Sequence, residues 1–279
     1  MKMIQSNYPL KNITTIGLGG TCKEFICPSN IIELLHIKAA KKKLFIGNGS
    51  NICFITDFYD GTIVNLKRMS KIISHDDKHI YCSSNISCVK IARYLHNSRI
   101  SGFEYLYGIP GTIGGAIYMN AGAFDNEILS HVYRIKLIDS SRKVYYLKGE
   151  DLNYSYRMSN IDKKSIIIGV ELYNHIKLFD KNLLSNLDNK RKNSQPVNQL
   201  SCGCIFKNPP GKSASKLIEG AMLKGERIGG IYISRKHSNY FINDGSGTYT
   251  DFLNLLSFVK RKISSLYNIE LKEEVILIK

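Results

Sequence analysis

The chain has 279 residues, 43% of them hydrophobic and 22% charged, a globular balance with enough apolar residues for one large core or two ordinary ones. It has no apolar run long enough to span a bilayer, and its start, MKMIQSNYPLKN, lacks the apolar centre and small-residue cleavage site of a signal peptide, so a cytoplasmic protein with no membrane partner is expected. The formal charge of +16 would suit a polyanion, but the lysines run with Asn, Ile and Ser along the whole chain and cluster only at KKK (41–43) and NKRKN (189–193), so no nucleic-acid partner is expected.

In chain order, Asn30-Ile31-Ile32-Glu33 has capping-box spacing and opens a helix through Leu34, Leu35 and Ile37. A short strand, Leu44-Phe45-Ile46, follows and runs into a glycine-rich turn. Residues 61–64 and 80–82 read as strands, and Val89, Ala92 and Leu95 fall at helical spacing. From 132 to 173 the pattern is β-rich: Tyr133, Ile135 and Leu137 alternate, a turn falls near Ser140-Ser141, and Val144, Tyr146 and Ile166-Ile167-Ile168 follow. The stretch 179–200, rich in Lys, Asn and Asp, places a boundary, giving domains over 1–178 and 179–279. In the second, Phe252, Leu255, Leu256, Val259, Ile263 and Leu266 form the core-facing stripe of a helix beginning near Thr250, with Lys260, Arg261 and Lys262 late in it where cations suit the dipole.

Seven cysteines, odd in number and scattered, argue against a disulfide framework, and most read as small buried apolar residues. Cys202 and Cys204 lie one residue apart, and with His237 they make a poor zinc set, so no metal is expected. Gly47-Asn48-Gly49-Ser50-Asn51 follows a strand, where glycines let backbone N–H groups approach a phosphate; it fits neither the Walker spacing nor G-x-G-x-x-G, and taken alone a plain tight turn explains it better. The segment 108–116 holds four glycines beside Pro110, which fits backbone packed against a flat or phosphorylated ligand as well as it fits a bulge-rich turn.

Taken together, NITTIGLGG (12–20), GNGSN (47–51), GFEYLYGIPGTIGGAIYMNAGAF (102–124), YSYR (154–157), CGCIFKNPPG (202–211), LKGERIGG (223–230) and LKEEV (271–275) resemble, in order and over nearly the whole chain, the UDP-N-acetylenolpyruvoylglucosamine reductases, the MurB flavoenzymes of peptidoglycan synthesis. The resemblance implies an α+β fold: a vanillyl-alcohol-oxidase/PCMH-type FAD-binding domain of two α+β subdomains, then a smaller α+β substrate-binding domain. FAD is the implied cofactor, NADPH the co-substrate and UDP-N-acetylglucosamine enolpyruvate the substrate, with the chain a monomer. Thr15, Gly47, Asn48, Gly49, Ser50 and Asn51 match cofactor positions. So do Ile109, Pro110, Gly111, Thr112, Gly114, Gly115 and Ala116, and Asn120, Ala121 and Gly122. Lys207, Asn208 and Lys224 match positions facing the UDP-sugar, as more weakly do Arg191, Ser234 and Asn243.

For catalysis the resemblance implies Arg157, Glu274 and Cys204. Hydride addition to the enolpyruvyl methylene leaves an enolate-like anion, which a planar guanidinium grips with two hydrogen bonds where a lysine cannot. Nothing in the charge pattern separates Glu274 from Glu273; Val275-Ile276 behind it favours Glu274. At the position of the proton donor the family most often has serine, and this chain has Cys204. A thiol, with a reference pKa of about 8.5, is a far stronger acid than an alcohol, so the role is preserved. Chains of this family come with and without an additional tyrosine-bearing loop over the substrate, and this one resembles the shorter form. Two rivals stay open: another FAD oxidoreductase of the same superfamily, and a catalytically silent nucleotide-binding relative.

Overall fold

The computed structural model describes residues 4–37, 42–174 and 178–279, so Lys41 of the KKK cluster lies outside the described residues. The strands are β1 (Ile4–Pro9), β2 (Thr21–Ile26), β3 (Lys43–Ile46), β4 (Ile52–Phe54), β5 (Phe58–Asn65), β6 (Ile73–His75), β7 (His79–Ser83), β8 (Gly122–Ala123), β9 (Asn126–Glu127) and β10 (Val132–Ile138). Then come β11 (Val144–Lys148), β12 (Tyr154–Ser155), β13 (Met158–Ser159), β14 (Ile166–Tyr173), β15 (Arg227–Ile228), β16 (Ile231–Ile233), β17 (Phe241–Asn243) and β18 (Ile276–Ile278). The helices are α1 (Ile31–Leu35), α2 (Cys88–Asn97), α3 (Ile113–Met119), α4 (Leu183–Ser194), α5 (Ala214–Gly220) and α6 (Tyr249–Tyr267).

These elements form two compact units, neither continuous in sequence: one takes in Ile26–Asn48 and Ile63–Lys190, the other Gln5–Phe25, Gly49–Thr62 and Arg191–Lys279. These units do not coincide with the expected domains over 1–178 and 179–279. The polar stretch expected to hold the boundary is largely the helix α4, and residues 5–25 and 49–62 go with the C-terminal part. The reason is physical: Ile16, Leu18 and Cys53 share a core with Phe206, Phe241 and Phe252, and β4 pairs in parallel with β18.

The first unit is built on an antiparallel sheet of order β11-β10-β14-β7-β6. One face of it, with Ile80, Cys82, Ile135, Leu137, Val170 and Leu172, packs on α2 and α3 through Ile91, Leu95, Ile113 and Ile117. The buried face of α2 is Cys88, Ile91, Ala92 and Leu95, so Val89 sits beside it and not on it. Tyr133 departs from the expected alternation because the β10–β14 register slips between Val132 and Arg134; its ring leaves the core and stacks on His79 at 4.3 Å. In α1, Asn30 caps Glu33 N–H at 2.9 Å while the Glu33 carboxylate reaches back to Ser29 N–H at 2.7 Å, and the helix ends at Leu35.

The second unit closes around α6, whose Phe252, Leu255, Leu256, Val259 and Ile263 are buried as the stripe requires. Leu266 is exposed, because the helix runs on to Tyr267, past the core. Lys260, Arg261 and Lys262 therefore lie mid-helix, and Lys260 pairs with Glu273 at 2.8 Å instead of capping the dipole. Among the described residues no helix is long and apolar enough to cross a membrane.

Candidate active site

In the first unit the two glycine-rich segments meet although some sixty residues separate them. Asn48 Nδ2 donates to the Pro110 carbonyl at 3.0 Å, Asn65 Nδ2 donates to the Gly47 carbonyl at 2.8 Å, and a Cβ on Gly47 would lie 2.4 Å from Thr112 Oγ1. Thr112 caps α3, and Gly114 packs so closely on Ser84 that a methyl there would lie 2.8 Å from its Cβ. Three first-turn amides of α3 already have partners: Ile113 N–H donates to Ile86, Gly114 N–H to the Ser84 carbonyl and Gly115 N–H to Thr112 Oγ1. The glycines at 47 and 114 thus serve close backbone approach. Asn65 and Ser84, which complete this junction, carry no motif of their own and escaped the sequence reading.

In the turn joining β3 to β4, the N–H groups of Asn48, Gly49 and Ser50 have no hydrogen-bond partner among the described residues. Consecutive unpaired amides at a glycine turn are a ready anion cradle. Gly49 is held at φ +65°, and a Cβ on it would lie 2.0 Å from the Ile13 carbonyl oxygen. Gly49→Ala should therefore cost about 2 kcal/mol or more of stability; a melting temperature within a degree of the unsubstituted protein would overturn that. A cavity of about 630 Å³ in the first unit is lined by Ser84 and Asn85, by Tyr81, Lys136 and Tyr146 from the sheet, and by Glu171, whose Oε1 pairs with Arg134 at 2.8 Å and whose buried Oε2 has no hydrogen-bond partner among the described residues.

Arg157 sits on the two-residue turn of the β12–β13 hairpin, not at the end of a strand. Its φ of +58° is uncommon for a side chain of this size. The guanidinium is fixed by donating to the carbonyls of Asn120 at 3.3 Å and Gly122 at 2.9 Å, lies 3.9 Å from Glu127 and stacks over the Tyr156 ring. Asn120 is fully buried in left-handed conformation at the end of α3. Its amide donates to Glu127 and to the Ser155 carbonyl, and its oxygen accepts from Leu129 N–H, leaving no side-chain donor for a ligand; it organises the hairpin that carries Arg157.

In the second unit Gly203, at φ +77°, turns the backbone between the two thiols. Cys202 is fully buried beside Cys53, and burial pushes its pKa well above the ordinary thiol value. Cys204 alone of the seven cysteines is not buried. The segment 204–206 is clamped on both sides. Asn239, unremarkable in SRKHSNY, takes Ile205 N–H on its carbonyl and Phe206 N–H on its side-chain oxygen, and returns its amide to the Phe206 carbonyl at 2.8 Å. Opposite, Glu274 N–H donates to the Ile205 carbonyl at 2.8 Å, and Asn51 Nδ2 holds the Glu274 carbonyl at 3.0 Å. Cys204 and Glu274 are thus brought to one strip of backbone. Glu273 is committed to Lys260, which separates the two adjacent acids.

The remaining expected contacts divide. Thr15 ties the unit together, its hydroxyl donating to the Ser201 carbonyl at 2.6 Å. Asn208 Oδ1 accepts from Ala214 N–H, Lys224 pairs with Glu219, and Lys207 has no ion-pair partner among the described residues. Asn243 is buried and bonds Ile16, Gly245 and Gly247, while Ser234 Oγ accepts from Lys236 and His237 N–H, so both are internal struts. Arg191 Nε reaches Gln195 at 3.4 Å.

His237 adds a pH dependence. Burial holds its pKa below the ordinary 6.5, and its Nδ1 accepts Asn239 N–H at 3.3 Å, which requires that nitrogen bare. The unfolded chain then binds a proton more readily than the folded one, so this contribution is complete above about pH 6.5 and is lost as the pH falls toward the depressed folded value. Urea midpoints should drop between pH 7.5 and 5, and His237→Gln should flatten that drop; an equal slope in the variant would refute the assignment.

Residues 195–278 match the C-terminal domain of UDP-N-acetylenolpyruvoylglucosamine reductase, and residues 28–146 match the FAD binding domain family. The chain belongs to the UDP-N-acetylenolpyruvoylglucosamine reductase family. Reductases of that name from Bacillus pumilus and Fusobacterium nucleatum are 34% and 30% identical to it, over 99% of this chain and 94% and 99% of theirs. The MurB crystal structure from Thermus caldophilus superposes with a TM-score of 0.82 at 29% identity, over 98% of both chains. The FAD-binding and reductase C-terminal modules, both mixed α and β, bear out the fold class expected from the sequence.

Proposed function

We propose that this MurB-family chain is an FAD-dependent reductase that converts UDP-N-acetylglucosamine enolpyruvate to UDP-N-acetylmuramate at the expense of NADPH, acting as a cytoplasmic monomer in peptidoglycan precursor synthesis. The observation that carries the reading is the co-occurrence, in a chain of this family, of an unpaired amide turn at Asn48–Ser50, a carbonyl-fixed Arg157, and Cys204 beside Glu274 on one clamped strip.

FAD fits the residues present. The amides of Asn48, Gly49 and Ser50 would take its pyrophosphate, the backbone of 109–116 would lie along it, and the cavity that opens beside Ser84 has room and aromatic walls for the adenosine end, with Glu171 Oε2 to accept from an amine or hydroxyl. When bound and reduced, FAD supplies hydride to the enolpyruvyl methylene carbon. Arg157 binds the substrate carboxylate and stabilises the charge that develops there. Cys204 gives its proton to the adjacent carbon, and Glu274 supports charge and proton balance beside it. Lys207, unpaired, and Lys224 meet the diphosphate, with Asn208 Nδ2 left to donate to the sugar.

The decisive experiment adds UDP-N-acetylglucosamine enolpyruvate anaerobically to protein bleached with NADPH. Return of the oxidised-flavin absorbance together with UDP-N-acetylmuramate is expected. A flavin-loaded protein that stays bleached with this substrate would exclude the reading.

A further inference from the structure

The partner of Cys204 across the strand pairing is a tyrosine. Cys204 and Tyr240 form an antiparallel bridge, a register that puts facing side chains on the same side of the pairing, with Cβ atoms about 5 Å apart. The frame around the pair is rigid. Ile205 N–H donates to the Asn239 carbonyl, Ser234 N–H to the Tyr240 carbonyl and Tyr240 N–H to the His237 carbonyl, and the His237 ring meets the Tyr240 ring edge-on at 4.8 Å. Yet the Tyr240 hydroxyl has no hydrogen-bond partner among the described residues.

The groups that act on this phenol are those of the candidate site. Burial is the largest influence, and the charges of Cys204, Glu274 and Cys202 add to it in raising its pKa far above the ordinary phenol value, while Arg191 opposes them. His237, whose pKa burial depresses, packs against the ring as a neutral neighbour near pH 7. A phenol in this setting keeps its proton throughout the working pH range and does not compete as a base. What it offers is one O–H donor, on the side chain that faces a thiol which must pass through an anionic state.

We propose that Tyr240 is a positioning residue for Cys204: its hydroxyl donates a hydrogen bond to the Cys204 Sγ when the thiol has given up its proton. The inference rests on the assignment of Cys204 as proton donor. The balance is simple. The S–H bond breaks, the proton forms a C–H bond on the substrate carbon, and the resulting thiolate takes a proton from solvent before the next turnover, with Tyr240 O–H intact throughout. A neutral donor gains most when its acceptor is charged, so Tyr240 favours the thiolate over the thiol and makes Cys204 a better acid.

Tyr240→Phe removes the hydroxyl and keeps the ring against His237, so the test does not depend on rebuilding the fold. The FAD-loaded protein is alkylated with iodoacetamide from pH 6 to 10, with Cys204→Ala as the blank. In Tyr240→Phe the midpoint for Cys204 modification should rise by about one pH unit, and substrate-dependent flavin reoxidation should slow about tenfold while NADPH-dependent bleaching keeps its rate. In a Cys204→Ser background the same substitution should change reoxidation less than threefold. An unchanged alkylation midpoint overturns the inference. Full turnover by Cys204→Ala would instead remove the proton-donor assignment on which it rests, while the midpoint would still report whether Tyr240 bonds the thiolate.

Discussion

Cys204→Ala will slow substrate-dependent flavin reoxidation by about 10²- to 10⁴-fold, the usual contribution of a placed general acid, and will leave bleaching by NADPH untouched. The split between the two half-reactions matters more than the size of the loss, because a residue that merely shaped the fold would disturb both. Cys204→Ser should retain most of the activity. The backbone following residue 204 is fixed by Asn239 on one side and by Glu274 N–H on the other, so a hydroxyl is delivered to the same place as the thiol. Exposure makes the prediction checkable by a second route: Cys204 is the one cysteine that is not buried, so iodoacetamide should label it first, and bound substrate should protect it. Equal turnover by the alanine variant would end the proposal that Cys204 donates the proton.

How much of this was legible beforehand varies with the kind of physics involved. The amphipathic stripe of α6 could be read because side-chain burial repeats with the helix period, and it failed only at Leu266, where the helix outlasts the core. The meeting of Gly47 with Thr112 and of Gly114 with Ser84 could not be read, since a glycine announces that something comes close without saying what. Nor could the return of residues 49–62 to the C-terminal core, which depends on β4 pairing with a strand more than two hundred residues away. Glu273 and Glu274 were alike in charge, with only Val275-Ile276 behind it to favour Glu274, and the position of Lys260 sets Glu273 apart. The two thiols of SCGCIF were separated by the left-handed Gly203 between them, which buries one and leaves the other accessible. Asn120 lay inside a motif and Asn239 in none, and the value of each as a double-sided hydrogen-bonding strut emerges only when both partners are in place.

Arg157 makes the second large prediction, and here stability and activity should move apart. The residue occupies a hairpin turn at φ +58°, where a side chain costs about 1–2 kcal/mol relative to glycine. Its guanidinium partly offsets that cost through the carbonyls of Asn120 and Gly122. Arg157→Gly removes the strain together with the bonds, so its melting temperature should stay within a few degrees of the unsubstituted protein, whereas reoxidation by substrate should fall about 10²- to 10³-fold. Arg157→Lys keeps the charge and the strained backbone but has one nitrogen to share between two carbonyls and a substrate carboxylate, so it should recover less than a tenth of the lost rate. Such a pairing, a backbone held against its preference and a fixed cation, is what a site selected for its chemistry would show. Wild-type turnover in Arg157→Lys would reduce Arg157 to a diffuse positive charge, and a glycine variant that unfolds would make it a structural clamp for the hairpin.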